Sequence, residues 1–335
     1  MAGLKGNVAW WAVGKQADKT TAATTCVVKA PFVGGSISVT RETANLAETD
    51  SSRDQGISYV TRTGVEGGPE AYVRDASIHT ILEGVLGTKT DSGTGSNYSH
   101  AITPANDLPY YTFWRNQSDV LYEQFTGCKF SEVTIKGEAG APLTVTTAIM
   151  GLTPTRSDTE FATSAAVTSV ESGPVYSYNE TTVSFGGTVT SGLITGSPTV
   201  VHNVRSVEVQ ISNNVSMQQT DNVVPYDLAA AQRTVNVSFD LILETLDEYN
   251  KFFYGGVSGT TAGSSIYTTP MQIKFSKTAN NSLTFDIPSV AYEAFPVQPN
   301  PNGDPIVVSV RAQAQRTGSA ANPIITATVK NQKAT

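Results

Sequence analysis

The sequence predicts a mainly β protein built from two tandem copies of one unit, with one short α-helix in each copy. The first indication is composition: only 15% of the 335 residues are charged, while Thr, Ser, Val, Gly and Asn are abundant, a mixture typical of strands and turns. The second is the recurrence of apolar residues at every other position, which is strand spacing. The third is self-similarity between the two halves of the chain, each long enough to form a domain.

The clearest part of the repeat aligns Tyr111–Ile135 with Ile273–Val297 at a constant offset of 162. Most of its apolar pairs lie two residues apart, so we expect a β-hairpin in each copy. After one inserted residue, Gly140–Val145 aligns with Gly303–Val308, so a Gly-x-Pro turn opens the same apolar strand in both copies. Specific pairs in this alignment are Tyr111/Ile273, Phe113/Phe275 and Cys128/Val290.

A short helix is predicted earlier in each copy, where the offset is 168 and apolar residues are three and four apart. We expect Ser77 and Thr245 to be the N-caps, with Thr245–Glu248 forming a capping box. Gly87 and Gly255 stand where a glycine ends a helix. These features predict one capped helix per copy.

Strands are also predicted ahead of each helix. Ala71 aligns with Phe239, and further upstream Ser36–Val39 aligns with Ser206–Val209, each followed by a long polar segment. The domain boundaries predicted from this repeat are a first domain at 1–153, a Ser/Thr-rich linker at 154–174 and a second domain at 175–335.

Charge and patterning argue against several functional classes. The formal net charge is −7, which disfavours a surface that binds nucleic acid phosphates. The apolar run VAWWAV near the N-terminus is too short for a signal peptide core or a membrane span, so we expect no membrane partner and a protein that stays in the cytosol where it is made. The two cysteines, Cys26 and Cys128, have neither disulfide nor metal spacing, and no cofactor is expected.

Cys128 is the one residue that raises the question of an enzyme. A thiol beside Lys129 is compatible with an activated nucleophile, and equally with a small apolar residue in a hairpin. The position is occupied by Val290 in the second copy, which favours the core. We therefore expect no catalytic activity.

Other residues with reactive or stacking side chains are weak candidates. We expect the histidines, which lack a second ligand at metal spacing, to be solvated or incidental: His79, His100 and His202. Two aromatic residues, Tyr110 and Trp114, are expected to point outward because their neighbours align with core positions of the second copy.

Two long polar segments are predicted to be loops that make inter-ring or inter-subunit contacts. The first, Arg41–Glu70, contains six acidic and three basic residues, and loops of this length in compact domains commonly serve contacts. Its counterpart is Ser212–Arg233. The charged residues expected to make these contacts are Arg41, Glu42, Glu48, Asp50, Arg53, Asp54, Arg62, Glu66, Glu70, Asp221, Asp227 and Arg233.

Several stretches resemble the tail tube (major tail) proteins of long-tailed bacteriophages. In the first half these are WWAVGKQADKTTAATT, SISVTRETANLAETDSS, ILEGVLGT and, above all, YEQFTGCKFSEVTIKGEAGAPLTVTTAIMGL. In the second half RSVEVQISNN and AAAQRTVNVSFDLILETLDEYNKFF resemble the same unit more weakly. The motifs are patterns of strand and turn, and their order along the chain is the specific part.

The resemblance implies that each copy is a β-sandwich or half-barrel with one helix, and that sheets of adjacent subunits pair into a barrel. Rings would stack into a tube through which viral DNA passes without specific binding, with other tail proteins at the tube ends. Because single-copy members build rings of six, a chain with two copies predicts rings of three with pseudo-sixfold symmetry, the alternative being hexameric rings. The expected location is the virion tail, after synthesis in the host bacterial cytoplasm.

A second hypothesis is a β-rich adhesion or receptor-binding protein of the virion, or another structural tail protein. Exposed Trp114 and Tyr110 would be the candidate binding residues in that case.

Overall fold

The computed structural model describes residues 8–47, 54, 56–95, 97–161, 170–201, 203–261, 266–298, 304–319 and 322–332. Within these ranges the chain is mainly β, with antiparallel strand pairing and two α-helices, as the sequence predicts.

The first half contains one helix between strands that alternate buried and exposed residues. In chain order its elements are β1 (Ala9–Lys15), β2 (Val28–Pro31), β3 (Gly34–Asn45), β4 (Ser58–Tyr72), α1 (Ile78–Leu86), β5 (Gly87–Thr94), β6 (Asn97–Pro104), β7 (Tyr111–Gln117), β8 (Leu121–Glu138), β9 (Thr144–Gly151) and β10 (Thr153–Ser157). The segment predicted as a linker, 154–174, therefore begins inside a strand.

The second half begins with a short 3-10 helix at Tyr178–Glu180. Its other elements are β11 (Thr181–Phe185), β12 (Thr188–Thr190), β13 (Leu193–Thr195), β14 (Thr199–Val201), β15 (Val204–Ser212), β16 (Ser216–Gln218), β17 (Asp227–Ala229), β18 (Thr234–Ile242), α2 (Asp247–Tyr254), β19 (Thr268–Thr278), β20 (Asn281–Ala294), β21 (Val307–Ala314) and β22 (Thr326–Asn331).

Each half has two layers joined by one long strand. The beginning of β8 pairs with β7 and β10, whereas its end pairs with β9 and β15. Near the change of partner lies Gly127, at φ +70°, a conformation that a side chain disfavours. In the second half β20 pairs with β22 at its beginning, with β19 from Asn281 to Ala291, and with β21 from Val290 to Ala294.

The order of strand pairing is the same in the two halves. In the first half it runs β1-β7-β8-β9-β4-β3, and in the second it runs β11-β19-β20-β21-β18-β15. A helix follows β4 and β18, the fifth strand of each series. The strand and helix positions of the aligned segments are therefore those that the sequence repeat predicts.

Strand register corrects several residue pairs of the sequence alignment. Val145 lies opposite Ala71, and its aligned counterpart Val308 lies opposite Leu241, so Ala71 corresponds to Leu241 and not to Phe239. Carried across the next strand pair, the register matches Ile37 with Val209 instead of Val207. The shift is two residues each time, which leaves the buried face of the strand unchanged.

The sequence alignment of hairpin β7–β8 with hairpin β19–β20 also requires a correction of two residues. Phe113 lies opposite Phe125, whereas the residue opposite Ile287 is Met271. With Phe125 aligned to Ile287, Phe113 therefore corresponds to Met271 and not to Phe275. The alignment without a gap was wrong here because an even shift preserves the alternation on which it depended.

The two helices are capped and buried differently. Ser77 is the N-cap of α1 but makes no side-chain capping bond, and the N-cap of α2 is Leu246, so the predicted capping box at Thr245 does not form. Gly87 and Gly255 end the helices as predicted. All nine residues of α1 are buried, whereas none of α2 is fully buried.

The main core runs through both halves without interruption. It includes Phe113, Phe125 and Phe130 in the first half and Phe239 and Phe285 in the second. Because these side chains bury large apolar areas, they provide the main driving force for folding.

A close contact between α1 and this core yields a stability prediction. A Cβ atom added at Gly84 would lie 2.2 Å from the Phe130 ring, whose side chain is fully buried. Although alanine normally favours a helix over glycine, Gly84→Ala is expected to lower the free energy of unfolding by about 1–3 kcal/mol through overpacking. Denaturant unfolding measures the change.

Gly256→Ala is the matched control, because no atom lies within 4 Å of its added Cβ. Equal unfolding midpoints for the two variants would contradict the close packing of α1 against Phe130.

Candidate assembly interface

Among the described residues, pairing between strands joins the two halves in two places: β6 pairs with β22, and β8 pairs with β15. The register is antiparallel and runs from Ser206 opposite Glu138 to Ser212 opposite Glu132. Two further backbone bonds extend it, from Ala139 N to Arg205 O (2.9 Å) and from Asn213 N to Ser131 O (2.8 Å). The result is one sheet in the order β3-β4-β9-β8-β15-β18-β21-β20.

The side chains at this junction separate into a dry face and a polar face. Val133 lies opposite Ile211 and Ile135 opposite Val209, and all four are at most 2% exposed. The intervening residues face the other way and are mostly polar: Glu132, Thr134, Lys136, Glu138, Ser206, Glu208, Gln210 and Ser212.

Hydrogen bonds between polar side chains continue along that face. The Asp240 carboxylate accepts from Ser206 and from Ser309 at 2.6 Å each, and Asn236 donates to Gln210 at 3.3 Å. The second layer of strands and the helices lie against the opposite, apolar face. This polar sheet face is therefore the uncovered side of the sheet.

The two outer strands of the sheet have unpaired edges within the described residues. Among the described strands β3 pairs with β4 alone, and the end of β20 pairs with β21 on one side. Val39 on β3 is 46% exposed, although its counterpart Ile211 is 1% exposed. Val297, just after β20, is 38% exposed, although its counterpart Ile135 is 2% exposed.

The segment Arg41–Glu70 was predicted to be a loop, and this is wrong. Its described residues form most of a long β-hairpin, because Arg41 and Glu42 lie on β3 while the later residues lie on β4, in register with it. Thr, Val and Tyr residues in the segment favour strands. The polar composition of a strand pair that protrudes from the core hides this preference.

The predicted contact residues of this arm, β3 with β4, have distinct positions. Arg62 forms ion pairs with Glu42 and, at 3.7 Å, with Glu66, whereas Arg41 is exposed and forms no ion pair within the described part of the chain. Glu70 lies opposite Gly34. Asp54 is exposed, and three predicted residues lie outside the described residues: Glu48, Asp50 and Arg53.

The second predicted loop, Ser212–Arg233, contains the short hairpin β16–β17 and contacts the first half of its own chain. Lys129 donates to the carbonyl oxygen of Leu228 (2.9 Å), and the Tyr110 hydroxyl donates to the Asp227 carboxylate. Burial raises the pKa of Asp227, but the bonds from Tyr110 and the Leu228 N–H, with nearby Lys19, lower it below its usual value overall. Asp221 is exposed.

A small apolar cluster supports the same contact. Its members come from both halves: Leu108, Leu152, Val215 and Leu228, with Met150 and Met217 packed against them. The second loop is therefore part of the contact between halves.

Arg233 and Asn213 attach this loop to the end of α1. Asn213 donates from Nδ2 to the carbonyl oxygen of Val85 (2.8 Å), and Arg233 donates to those of Leu86 (3.3 Å) and Ala105 (2.8 Å). Carbonyl groups in the last turn of a helix lack partners within the helix. Arg233, predicted as a contact to neighbouring molecules, is thus bound within its own chain.

Replacing Arg233 tests this role. Arg233→Met removes the donor to Ala105 O and to Asn213 Oδ1, while Leu86 O keeps its bond from the Ala105 N–H at 2.7 Å. Hydrogen bonds from a charged group contribute about 1.5–3 kcal/mol, so the variant is expected to lower the free energy of unfolding by about that amount, measured by urea unfolding at low protein concentration. Arg41→Met is the matched control, since Arg41 is exposed. Equal stability of the two variants would show that Arg233 does not hold the two halves together.

A comparison with protein families matches residues 10–325 to the phage tail tube protein family. This chain belongs to the phage tail tube protein family. No curated protein matches the chain. The resemblance found in the sequence is thereby confirmed over nearly the whole length, and a structural role in a phage tail follows from it.

Two aromatic residues of this tail tube protein differ from expectation. Trp114 is 2% exposed and packs with Ala12 and Cys26, so the prediction that it points outward was wrong. Tyr110 is partly buried and bound to Asp227. Neither residue is available as the exposed stacking group that the adhesion hypothesis required.

The histidines were expected to be solvated or incidental, which is wrong for two of them. His79 and His100 are buried, with ring centroids 4.5 Å apart. His100 contacts Asp91 at 2.6 Å and Asn331 at 3.0 Å. His202 lies outside the described residues, and across the described ranges no three His, Cys, Asp or Glu residues are grouped to hold a metal ion.

No helix in the described part of the tail tube protein combines the length and apolar character needed to cross a membrane.

Cys128 is a core residue, as its alignment with Val290 predicts. Both side chains are 0% exposed, and burial raises the pKa of the Cys128 thiol far above its usual range. Lys129 donates to Leu228 O and lies 4.2 Å from the centre of the Tyr110 ring. Its charge is therefore directed to the contact between halves.

Cys128→Val is expected to leave tube assembly intact. The two side chains are similar in volume, so the free energy of unfolding should change by less than about 1.5 kcal/mol. Denaturant unfolding and negative-stain microscopy measure the two properties. Loss of assembly in a variant of normal stability would contradict a purely structural role for the thiol.

Proposed function

We propose that this chain is the structural subunit of a phage tail tube and that three copies close a ring with pseudo-sixfold symmetry. The chain is a tandem duplication, with the first copy in 1–153, a linker at 154–174 and the second copy in 175–335. Rings stack into the conduit for DNA ejection. Membership of the family and the equal order of strand pairing in the two halves support this proposal.

The β8–β15 junction carries the ring proposal. In the chain, β8, the outermost strand in the series β3-β4-β9-β8 of the first half, pairs with β15, the outermost strand in the series β15-β18-β21-β20 of the second half. The equivalent strands, β20 and β3, have unpaired edges within the described residues. An unpaired edge can accept another strand, so β20 of one subunit pairs with β3 of the next by repeating the contact between halves.

This repetition specifies a register. Because Val133 lies opposite Ile211, Phe295 of one subunit would lie opposite Val39 of the next. Because Ile135 lies opposite Val209, Val297 would lie opposite Ile37. Both exposed valines, Val39 and Val297, would then be buried.

The polar sheet face would line the lumen. The apolar face is covered by the second layer in each half, so a closed sheet has its uncovered face on the inside. Among the polar residues next to the junction, acidic side chains such as Glu132, Glu138 and Glu208 outnumber the basic one, Lys136. Excess negative charge repels phosphates, which suits a passage that DNA must leave without binding.

The remaining expectations follow from the same function. The subunit would be made in the host bacterial cytoplasm and reside in the virion tail, with other tail proteins at the ends of the tube. The proposal includes no enzymatic activity, consistent with the buried, inert thiol of Cys128.

Val39→Asp tests the proposed edge. Val39 is exposed in the single chain, so this variant is expected to fold with an unfolding midpoint close to that of the natural protein. Burying an unpaired carboxylate at the strand junction is costly, so rings and tubes should be lost in negative-stain micrographs. Circular dichroism melting measures the folding of the single chain.

Val120→Asp is the matched control, because Val120 is similarly exposed at 53% but lies in the β7–β8 turn. It is expected to assemble. Tubes of normal length from Val39→Asp would contradict the edge pairing, and rings of six chains would contradict the threefold ring.

A further inference from the structure

The helix α2 has an exposed apolar surface, whereas the corresponding surface of α1 is buried within the chain. Phe253 is 43% exposed, whereas Val85, at the corresponding position of α1, is 0% exposed. Leu246 before α2 and Val257 after it are 56% and 47% exposed. Tyr249 and Phe253, with ring centroids 4.7 Å apart, continue this surface around the helix.

Within the chain, residues of the second half cover the C-terminal end of α1. The second half brings Asn213 and Arg233 to the last carbonyl groups of α1, and Asn213 also donates to Phe130 O at 3.3 Å. These residues lie directly beyond β15 and before β18. The strands that join the halves therefore also deliver the donors to α1.

The corresponding positions at the other end of the chain are on the arm, β3 with β4. By strand register Ile211 corresponds to Val39, so Asn213 corresponds to Arg41. Arg41 is exposed, and its side chain has no hydrogen bond or ion pair in the described ranges. Its counterpart Asn213 donates a hydrogen bond at the end of α1. The Arg41 side chain is therefore a donor at the equivalent position that has no acceptor among the described residues of its own chain.

We propose that the C-terminal end of α2 is the docking site for the arm of a second copy of this chain in the same ring. The inference rests on the proposed function, since it applies the contact between halves a second time. Arg41 donates to the carbonyl groups of Phe253 and Tyr254, as Asn213 donates to that of Val85. A guanidinium offers five N–H donors, and its positive charge is favourable at a helix C-terminus.

The arm also has an exposed apolar face, which lies on the side opposite Arg41 because side chains alternate along β3. Ala44 lies opposite Tyr59, and Leu46 N bonds to Ile57 O at 3.0 Å, so these four side chains lie on one face of the arm. Leu46, Ile57 and Tyr59 are 43%, 77% and 51% exposed. This face is directed away from the end of α2, so Arg41 and the repeated strand pairing are what connect the arm to α2.

The test is a disulfide between two engineered positions. The two natural cysteines are buried, so Arg41→Cys with Phe253→Cys introduces one reactive pair. Tubes checked by microscopy are oxidised and separated by denaturing electrophoresis without reductant. The expected product is a ladder of cross-linked chains that ends at three, because each chain joins the next around one ring.

The other outcomes separate this inference from the proposed function. A ladder ending at six would support the docking site but overturn the ring of three. A ladder continuing far beyond six would overturn docking within a ring, because the arm would then connect rings. Intact tubes without cross-links would overturn the docking site and leave the tube function in place.

Two controls complete the design. Arg41→Cys with Val120→Cys is expected to give no ladder, since Val120 lies in the β7–β8 turn. If the double variant fails to assemble, hydroxyl-radical footprinting of the natural protein replaces it: Phe253 and Tyr254 should be protected in tubes relative to the single chain. Unchanged labelling of both residues would overturn the inference.

Discussion

Backbone pairing between β8 and β15 is the interaction on which the rest of the structure depends. It joins two four-strand sets into one sheet and, together with the β6–β22 pairing, brings the buried residues of both halves into one core. It also brings Asn213 and Arg233 to the end of α1. Without this pairing, β8 and β15 would each have an unpaired edge, as β3 and the end of β20 have within the described part of the chain.

Unpaired edges are a hazard for a protein that remains a monomer, because they can bind other strands without control. For a ring-forming subunit they are the means of assembly, provided that register and side-chain contacts select the correct partner. In the proposed ring, separate subunits would select each other by repeating the register and side-chain contacts of the pairing inside the chain. In the proposed ring of three two-copy chains, half of the contacts between units would lie within one chain and would carry no loss of translational freedom on assembly.

The sequence predicted the fold class, the positions of most strands in the aligned segments and both helices, because strand and helix periodicity is a property of local sequence. It could not determine register, since Phe113 matches Phe275 or Met271 equally well by alternation. It also could not separate the arm from a loop, because a strand pair that protrudes into solvent needs no apolar face. Arg233 has the same charge as an exposed contact residue, and only its position beside α1 distinguishes it.

The candidate interface was least predictable at residues that are exposed only because no part of the same chain covers them. Phe253 and Val39 are ordinary apolar residues in the sequence, and they become informative only when Val85 and Ile211 are found buried at the corresponding positions. A cryo-electron microscopy map of the assembled tube tests the central claim most directly. The account predicts three chains per ring, with β3 of one chain paired to the end of β20 of the next and Val39 opposite Phe295. Six chains per ring, or a β3 edge that contacts no strand of the neighbouring subunit, would contradict it.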